Sequence, residues 1–264
     1  MRADNQQVDN LKSDKNKVWF FAGAESKDEK FNVFTGSYIR LMKQILKEDF
    51  EHVKGVNHAS SAMNVIWALN NAQKQIVNPE KDKITRGAVK HIISGIPSAE
   101  TQVTITSSSS GSIVAAQAAC YLAEMNRNFE YFSLPFHLVL GASMLSEESE
   151  LFAALKKYQK NGIIGEIIHD EVLDKDDSAN GVGGKTRGEA YSNAFGLMFP
   201  VFSKKYNGPS FLNTHPEKGH VHRKRSKTVK KALDYIDVIL IKHKLAGEEY
   251  KEKAVEVVKS QGKN

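Results

Sequence analysis

Short, continuous apolar runs alternate with helix-spaced segments along most of this chain, and that alternation restricts its fold more than any other feature. The run "KVWFFAGAES" at 17–26 ends in small residues, as a buried parallel strand does. "SYIRLMKQILKE" at 37–48 follows, with Ile39, Leu41, Met42, Ile45 and Leu46 at helical spacing. "HVKGVN" at 52–57 reads as a strand and "SAMNVIWALNNAQKQIV" at 61–77 as a helix. The pattern repeats with "VTIT" at 103–106 and the helix-favouring "SIVAAQAACYLAEMN" at 112–126. It repeats again with a strand at 137–145, a helix at 148–160 and a strand at 163–169. A loop rich in Asp and Gly at 172–184 precedes a helix at 188–202 whose end Pro200 limits. A short strand at 209–213 and a long helix at 226–243, capped by Ser226, complete the order. The apolar signal over 78–96 is thin, and no element is assigned there.

Alternating strands and helices of this kind predict an α/β fold, a mostly parallel central sheet with helices on both faces. No internal repeat and no long Pro/Gly linker divides the chain. The expected organisation is a flexible arm at 1–16, one α/β domain at 17–245 and a charged helical tail at 246–264. With 41% hydrophobic residues the chain has enough apolar material for a sizeable core.

Cys120 is the single cysteine, which excludes an internal disulfide and a cysteine-based metal site. Set among alanines, it reads as a small buried hydrophobe. No apolar run approaches the roughly 20 residues that span a bilayer, and the polar N-terminus lacks the apolar centre of a secretory signal. The expected address is cytoplasmic, with secretion by a non-classical route left open. The net charge of +6 is concentrated in "HVHRKRSKTVKK" at 220–231. That cluster is either a solvated helix start or a contact for phosphates, including an anionic membrane surface met through Arg223 to Lys231. No zinc-finger spacing or aromatic-basic pattern occurs, so nucleic acid is not an expected partner.

Four consecutive serines, Ser107 to Ser110, join the β-branched run to the alanine-rich helix. Such a run is either a solvated linker or a strand–turn–helix junction. Its flanks favour the junction, because a linker is bordered by other loop-formers. In an α/β fold that junction opens at the carboxyl edge of the sheet, where ligands bind, with helix N–H groups available to negative charge.

The segment Ser107-Ser108-Ser109-Ser110-Gly111 resembles the nucleophile elbow of the α/β-hydrolase fold, G-x-S-x-G, particularly of lipase-like members. Ser107 stands where the pattern has its first glycine. No G-K-[ST] follows the turn, so a phosphate-binding loop is the weaker match. The resemblance implies that Ser109 is the nucleophile. In that fold the triad runs Ser, then Asp or Glu, then His, with the acid after the second strand beyond the nucleophile. Four carboxylates stand there: Asp170, Asp174, Asp176 and Asp177. Asp177, which opens the turn-rich "DSANGVGG", is the first choice and Asp170 the second. The histidine then falls in "NTHPEKGHVHRKRS", where His220 leads, ahead of His222 and His215. Three histidines so close also raise a metal site, for which there is no matching cysteine or helical H-x-x-x-H. The oxyanion donors would be the N–H groups of Ser110 and of Ala24 or Gly23, in the loop after the first strand.

The implied activity is that of a serine esterase or lipase, a carboxylic ester hydrolase working without a cofactor on a lipid or other acyl ester. Two alternatives stand beside it. One is a non-catalytic module of the same fold that binds a ligand or a protein; the other is a lipase-type toxin with the same chemistry.

Overall fold

The structure, a computed structural model, describes residues 16–23, 33–53, 83–108, 111–129, 131–143, 145, 147–171, 252, 253 and 256. The elements expected at 61–77, 188–202, 209–213 and 226–243 lie outside these residues, as does nearly all of the arm at 1–16.

Among the described residues five parallel strands form one sheet: β1 (Asn16–Phe21), β2 (Phe50–His52), β3 (Gln102–Ser108), β4 (Phe136–Ser143) and β5 (Ile164–Glu171). Their spatial order is β2-β1-β3-β4-β5. Among the described residues up to Glu171 four helices accompany them: α1 (Val33–Leu46), α2 (Lys83–Ser94), α3 (Gly111–Phe129) and α4 (Glu150–Lys160). A turn of 3-10 helix, Lys47–Asp49, links α1 to β2. The expected α/β arrangement is therefore present.

The strand order dictates which helix covers which face. Parallel strands are joined by right-handed crossovers, so reversing the direction of travel along the sheet moves the helix to the other face. From β1 to β2 the chain steps one way; from β2 to β3, β4 and β5 it steps the other. Hence α1 lies on one face, and α2, α3 and α4 share the opposite one. Side-chain burial agrees. Alternate residues Trp19 and Phe21 of β1 join Val103, Ile105, Leu138 and Leu140 in one apolar cluster with Ala88, Ile92, Ile113, Ala119 and Leu155 of those three helices. On the other face Val18 and Phe20 are buried, as are Met42, Ile45 and Leu46 of α1, and the Phe20 ring stacks on Phe50 at 6.2 Å.

The middle helix, α3, is buried over nearly its whole circumference, flanked by α2 and α4 and lying against the sheet. Small side chains make this possible: Ala115, Ala116, Ala118, Ala119 and Ala123 have no exposed surface. The α2–α3 contact contains a buried hydrogen bond from Thr85 Oγ1 to Gln117 Oε1 of 2.9 Å. The α3–α4 contact is closed by Tyr158 donating to Glu124 at 2.7 Å. Ser149 caps α4 by accepting from the Phe152 N–H, with Glu150 in the first turn and Lys157 and Lys160 in the last, matching the helix dipole.

Several boundaries differ from the sequence reading. Helix α2 occupies the stretch with the thin apolar signal. Its buried residues Thr85, Ala88, Val89 and Ile92 recur at helical spacing, and a threonine at one core position dilutes the pattern. Strand β2 begins at Phe50, ahead of the expected 52–57, because Phe50 and His52 pack on Phe20. Strand β3 runs on through Ser107 and Ser108. Strand β5 runs to Glu171, so Asp170 belongs to the strand and not to the loop beyond it.

Gly111, the first residue of α3, has no room for a side chain. A Cβ there would lie inside the contact distance of the Ala22 and Phe21 carbonyl oxygens. Both oxygens belong to backbone that cannot yield without moving β1. The Gly111→Ala variant is therefore expected to lose about 3 kcal/mol or more of stability, measured as the shift in urea midpoint. Gly87→Ala, in α2 with nothing near its Cβ position, should stabilise slightly or do nothing.

Candidate functional site at the carboxyl edge of the sheet

All five strands point the same way, so their C-terminal ends form one edge, and the reversal of strand order falls between β1 and β3. In open α/β sheets that switch point is where a crevice opens for ligands. Ala22 and Gly23 follow β1 there, and Gly111 opens α3 close to the Phe21 and Ala22 carbonyls.

Of the expected site residues, Ser109 and Ser110 stand in the chain between Ser108 at the end of β3 and Gly111 at the start of α3. They lie outside the described residues, as do Ala24, Asp174, Asp176, Asp177, His215, His220 and His222. The basic stretch 223–231 lies outside them too. Gly23, the alternative oxyanion donor, is described and half-buried directly after Ala22. Asp170 sits in β5, one residue before the strand's end.

Ser107 and Ser108, expected in a turn, are strand residues only 1% and 6% exposed, which rules out a solvated linker at this point. The Ser107 hydroxyl donates to the Val139 carbonyl on β4 at 3.1 Å. A serine is thus accommodated where the hydrolase pattern has its first glycine, with its one polar atom satisfied by the neighbouring strand.

Strand direction also sorts the described histidines. His137 opens β4 at the opposite, amino edge of the sheet, away from the β3–α3 connection. Its Nδ1 accepts from the Glu166 N–H at 2.9 Å, and its ring occupies the space beside Gly165. Burial lowers its pKa, partly offset by the Glu166 carboxylate. That is a structural role. His91, on α2, meets Glu51 at 2.6 Å on the surface. His169 stands at the carboxyl edge, its side chain 4% exposed. Its Nε2 lies 2.9 Å from the Leu145 carbonyl, its Nδ1 3.2 Å from Glu147 Oε1, and its ring 4.8 Å from that of Phe152.

Neither Ser112, at the start of the expected helix, nor Ser143, within the expected strand, stands out in the sequence. The structure joins them. Ser143 Oγ at the end of β4 donates to Ser112 Oγ in the first turn of α3 at 3.0 Å, and both are buried. The only available signal was a serine at each of two element ends, too common to mark a pair separated by 31 residues.

No family model matches the chain, and neither a curated protein nor a solved structure resembles it significantly. Among the described residues no three His, Cys, Asp or Glu side chains gather to hold a metal ion, and no helix is long and apolar enough to cross a membrane.

Cys120, on α3, is buried, and burial pushes its thiol up to about 12. A thiol so placed stays protonated near neutrality and is no nucleophile. The native protein should therefore resist iodoacetamide at pH 8 and react fully in urea. Because the folded pKa is the higher one, the contribution to stability is whole below the unfolded thiol's pKa and is lost as pH rises toward 12. Urea unfolding of wild type and Cys120→Ala across pH 8 to 11 should show the steeper decline in wild type.

Proposed function

We propose that this protein is a serine hydrolase of the α/β-hydrolase type that cleaves a carboxylic ester, with Ser109 as nucleophile. The observation that carries the reading is the contact of Gly111 with the end of β1. An oxyanion hole draws one N–H from the residue after the nucleophile and one from the loop after an early strand, so these two pieces of backbone must adjoin. Gly111 directly follows Ser110, and of the two carbonyls it approaches, that of Phe21 precedes Ala22 and that of Ala22 precedes Gly23, with Ala24 next along the chain. The short connection between β3 and a buried 19-residue helix supports the same assignment, as does the strand-bound Ser107.

In the proposed reaction Ser109 Oγ attacks the ester carbonyl carbon while its proton passes to His220. The N–H groups of Ser110 and of Ala24 or Gly23 receive the negative oxygen that forms. Asp177 orients the imidazole and stabilises its charged form. Collapse of the tetrahedral intermediate expels the alcohol, which takes the proton from the imidazolium and leaves an acyl group on Ser109. Water, deprotonated by the same histidine, then attacks that acyl group, and the carboxylic acid departs. No cofactor enters these steps. Acyl esters of lipids are the leading substrate class, by resemblance to lipase-like enzymes; the stretch Arg223 to Lys231 would offer an anionic surface a point of contact.

Labelling with a fluorophosphonate probe tests the assignment. Stoichiometric labelling is expected, abolished in Ser109→Ala and in heat-denatured protein. Ester hydrolysis in the same variant should fall by about 10³-fold or more. Folded wild-type protein that takes up no probe would overturn the reading and favour a non-catalytic binding module.

A further inference from the structure

We propose that Ser143 and His169 are positioning residues, two parts of a hydrogen-bonded bridge that holds the first turn of α3 in register with the end of β5. The consequence for catalysis rests on the Ser109 assignment; the bridge itself does not.

The bridge can be followed atom by atom. Ser112 Oγ in α3 accepts from Ser143 Oγ at 3.0 Å. Ser143 Oγ in turn accepts from the Leu145 N–H at 3.0 Å, closing a turn in which a serine side chain binds the amide two residues on. The Leu145 carbonyl lies 2.9 Å from His169 Nε2. A carbonyl oxygen can only accept, so Nε2 carries a hydrogen and donates it to Leu145. Glu147 Oε1 faces the other ring nitrogen at 3.2 Å, and Phe152 supports the ring. Ser112, Ser143 and Leu145 are each no more than 2% exposed, so a broken link has no ready replacement from bulk water.

These contacts tie the ends of β4 and β5 to the start of the helix that follows β3. A triad of the proposed kind needs those ends in fixed relation, because the nucleophile follows β3 and the acid follows β5. Ser112 is the third residue after Ser109 and lies in the first turn of α3. Backbone contact with β1 at Gly111 fixes that turn on one side, and the bridge fixes it on the other. A displacement of about 1 Å at a reacting group can cost roughly 10²-fold in rate, so a partial loosening here should be visible in the chemistry.

The test uses the full chain as wild type, Ser143→Ala, Ser143→Thr and His169→Gln. The readouts are ¹⁵N NMR of the His169 ring, hydrogen exchange at the Leu145 amide and the fluorophosphonate labelling rate. With the bridge present, Ser143→Ala displaces the His169 Nε2 resonance, speeds Leu145 exchange at least tenfold and slows labelling by about tenfold. Ser143→Thr, which keeps the hydroxyl, restores all three. His169→Gln, which retains a side-chain N–H donor, keeps Leu145 exchange near wild type if Ser143→Ala proves too unstable to study. A His169 resonance and Leu145 exchange unmoved by Ser143→Ala overturn the proposal, whatever the labelling does. Coupling between Ser143 and His169 in a wild-type protein that takes no label supports the bridge and sinks the hydrolase reading alone.

Discussion

The carboxyl edge of this sheet depends on one close approach, that of the Gly111 backbone to the Phe21 and Ala22 carbonyls. A side chain there would drive α3 away from β1, and the alanine face of α3 would lose its fit on the sheet. The constraint reaches beyond packing. It sets the Phe21–Ala22 backbone beside the start of α3, at the point where strand order reverses. A crevice at a switch point opens because neighbouring crossovers leave in opposite directions.

Much of this frame was legible in the sequence, and the reason is burial on two faces. Parallel strands covered on both sides need continuous apolar runs, and β1, β4 and β5 are found close to where such runs occur. Helices α1, α3 and α4 carry apolar residues at helical spacing and were equally readable. Elements whose interior includes polar atoms were harder. Thr85 sits at a core position of α2 because Gln117 of the next helix accepts its hydrogen bond, a partner 32 residues away that no local pattern announces. The strand character of Ser107 depends likewise on the Val139 carbonyl of β4. In both cases a distant acceptor makes a hydroxyl compatible with the interior.

The candidate site was legible to a different degree. The proposed nucleophile position follows from one junction, where a strand, two residues and a helix come in succession along the chain. The acid and the base have no such local signature. Each was chosen from several residues of the same chemistry by order along the chain, and Asp170 proved to be a strand residue. Direction in the sheet separates candidates better than residue type does. His137 and His169 belong to adjacent strands, yet one stands at the amino edge and the other at the carboxyl edge. Only the second stands on the edge where the switch point opens.

The serine run, finally, makes physical sense when each position is taken separately. Ser107 is a strand residue whose hydroxyl feeds the adjacent strand. Ser108 closes the strand in a nearly buried position, in register with Gly141 of β4. Ser109 and Ser110 make the connection, and Gly111 must lack a side chain. Beyond it Ser112 is buried against Ser143. A larger residue at 107, 108 or 112 would have to displace a neighbouring strand or helix, and an apolar one at 107 or 112 would forfeit a buried hydrogen bond. Small size and one hydroxyl satisfy all three described positions at once. The repetition of a single residue type is therefore what a tight, polar junction selects, where a flexible linker would have required only solubility.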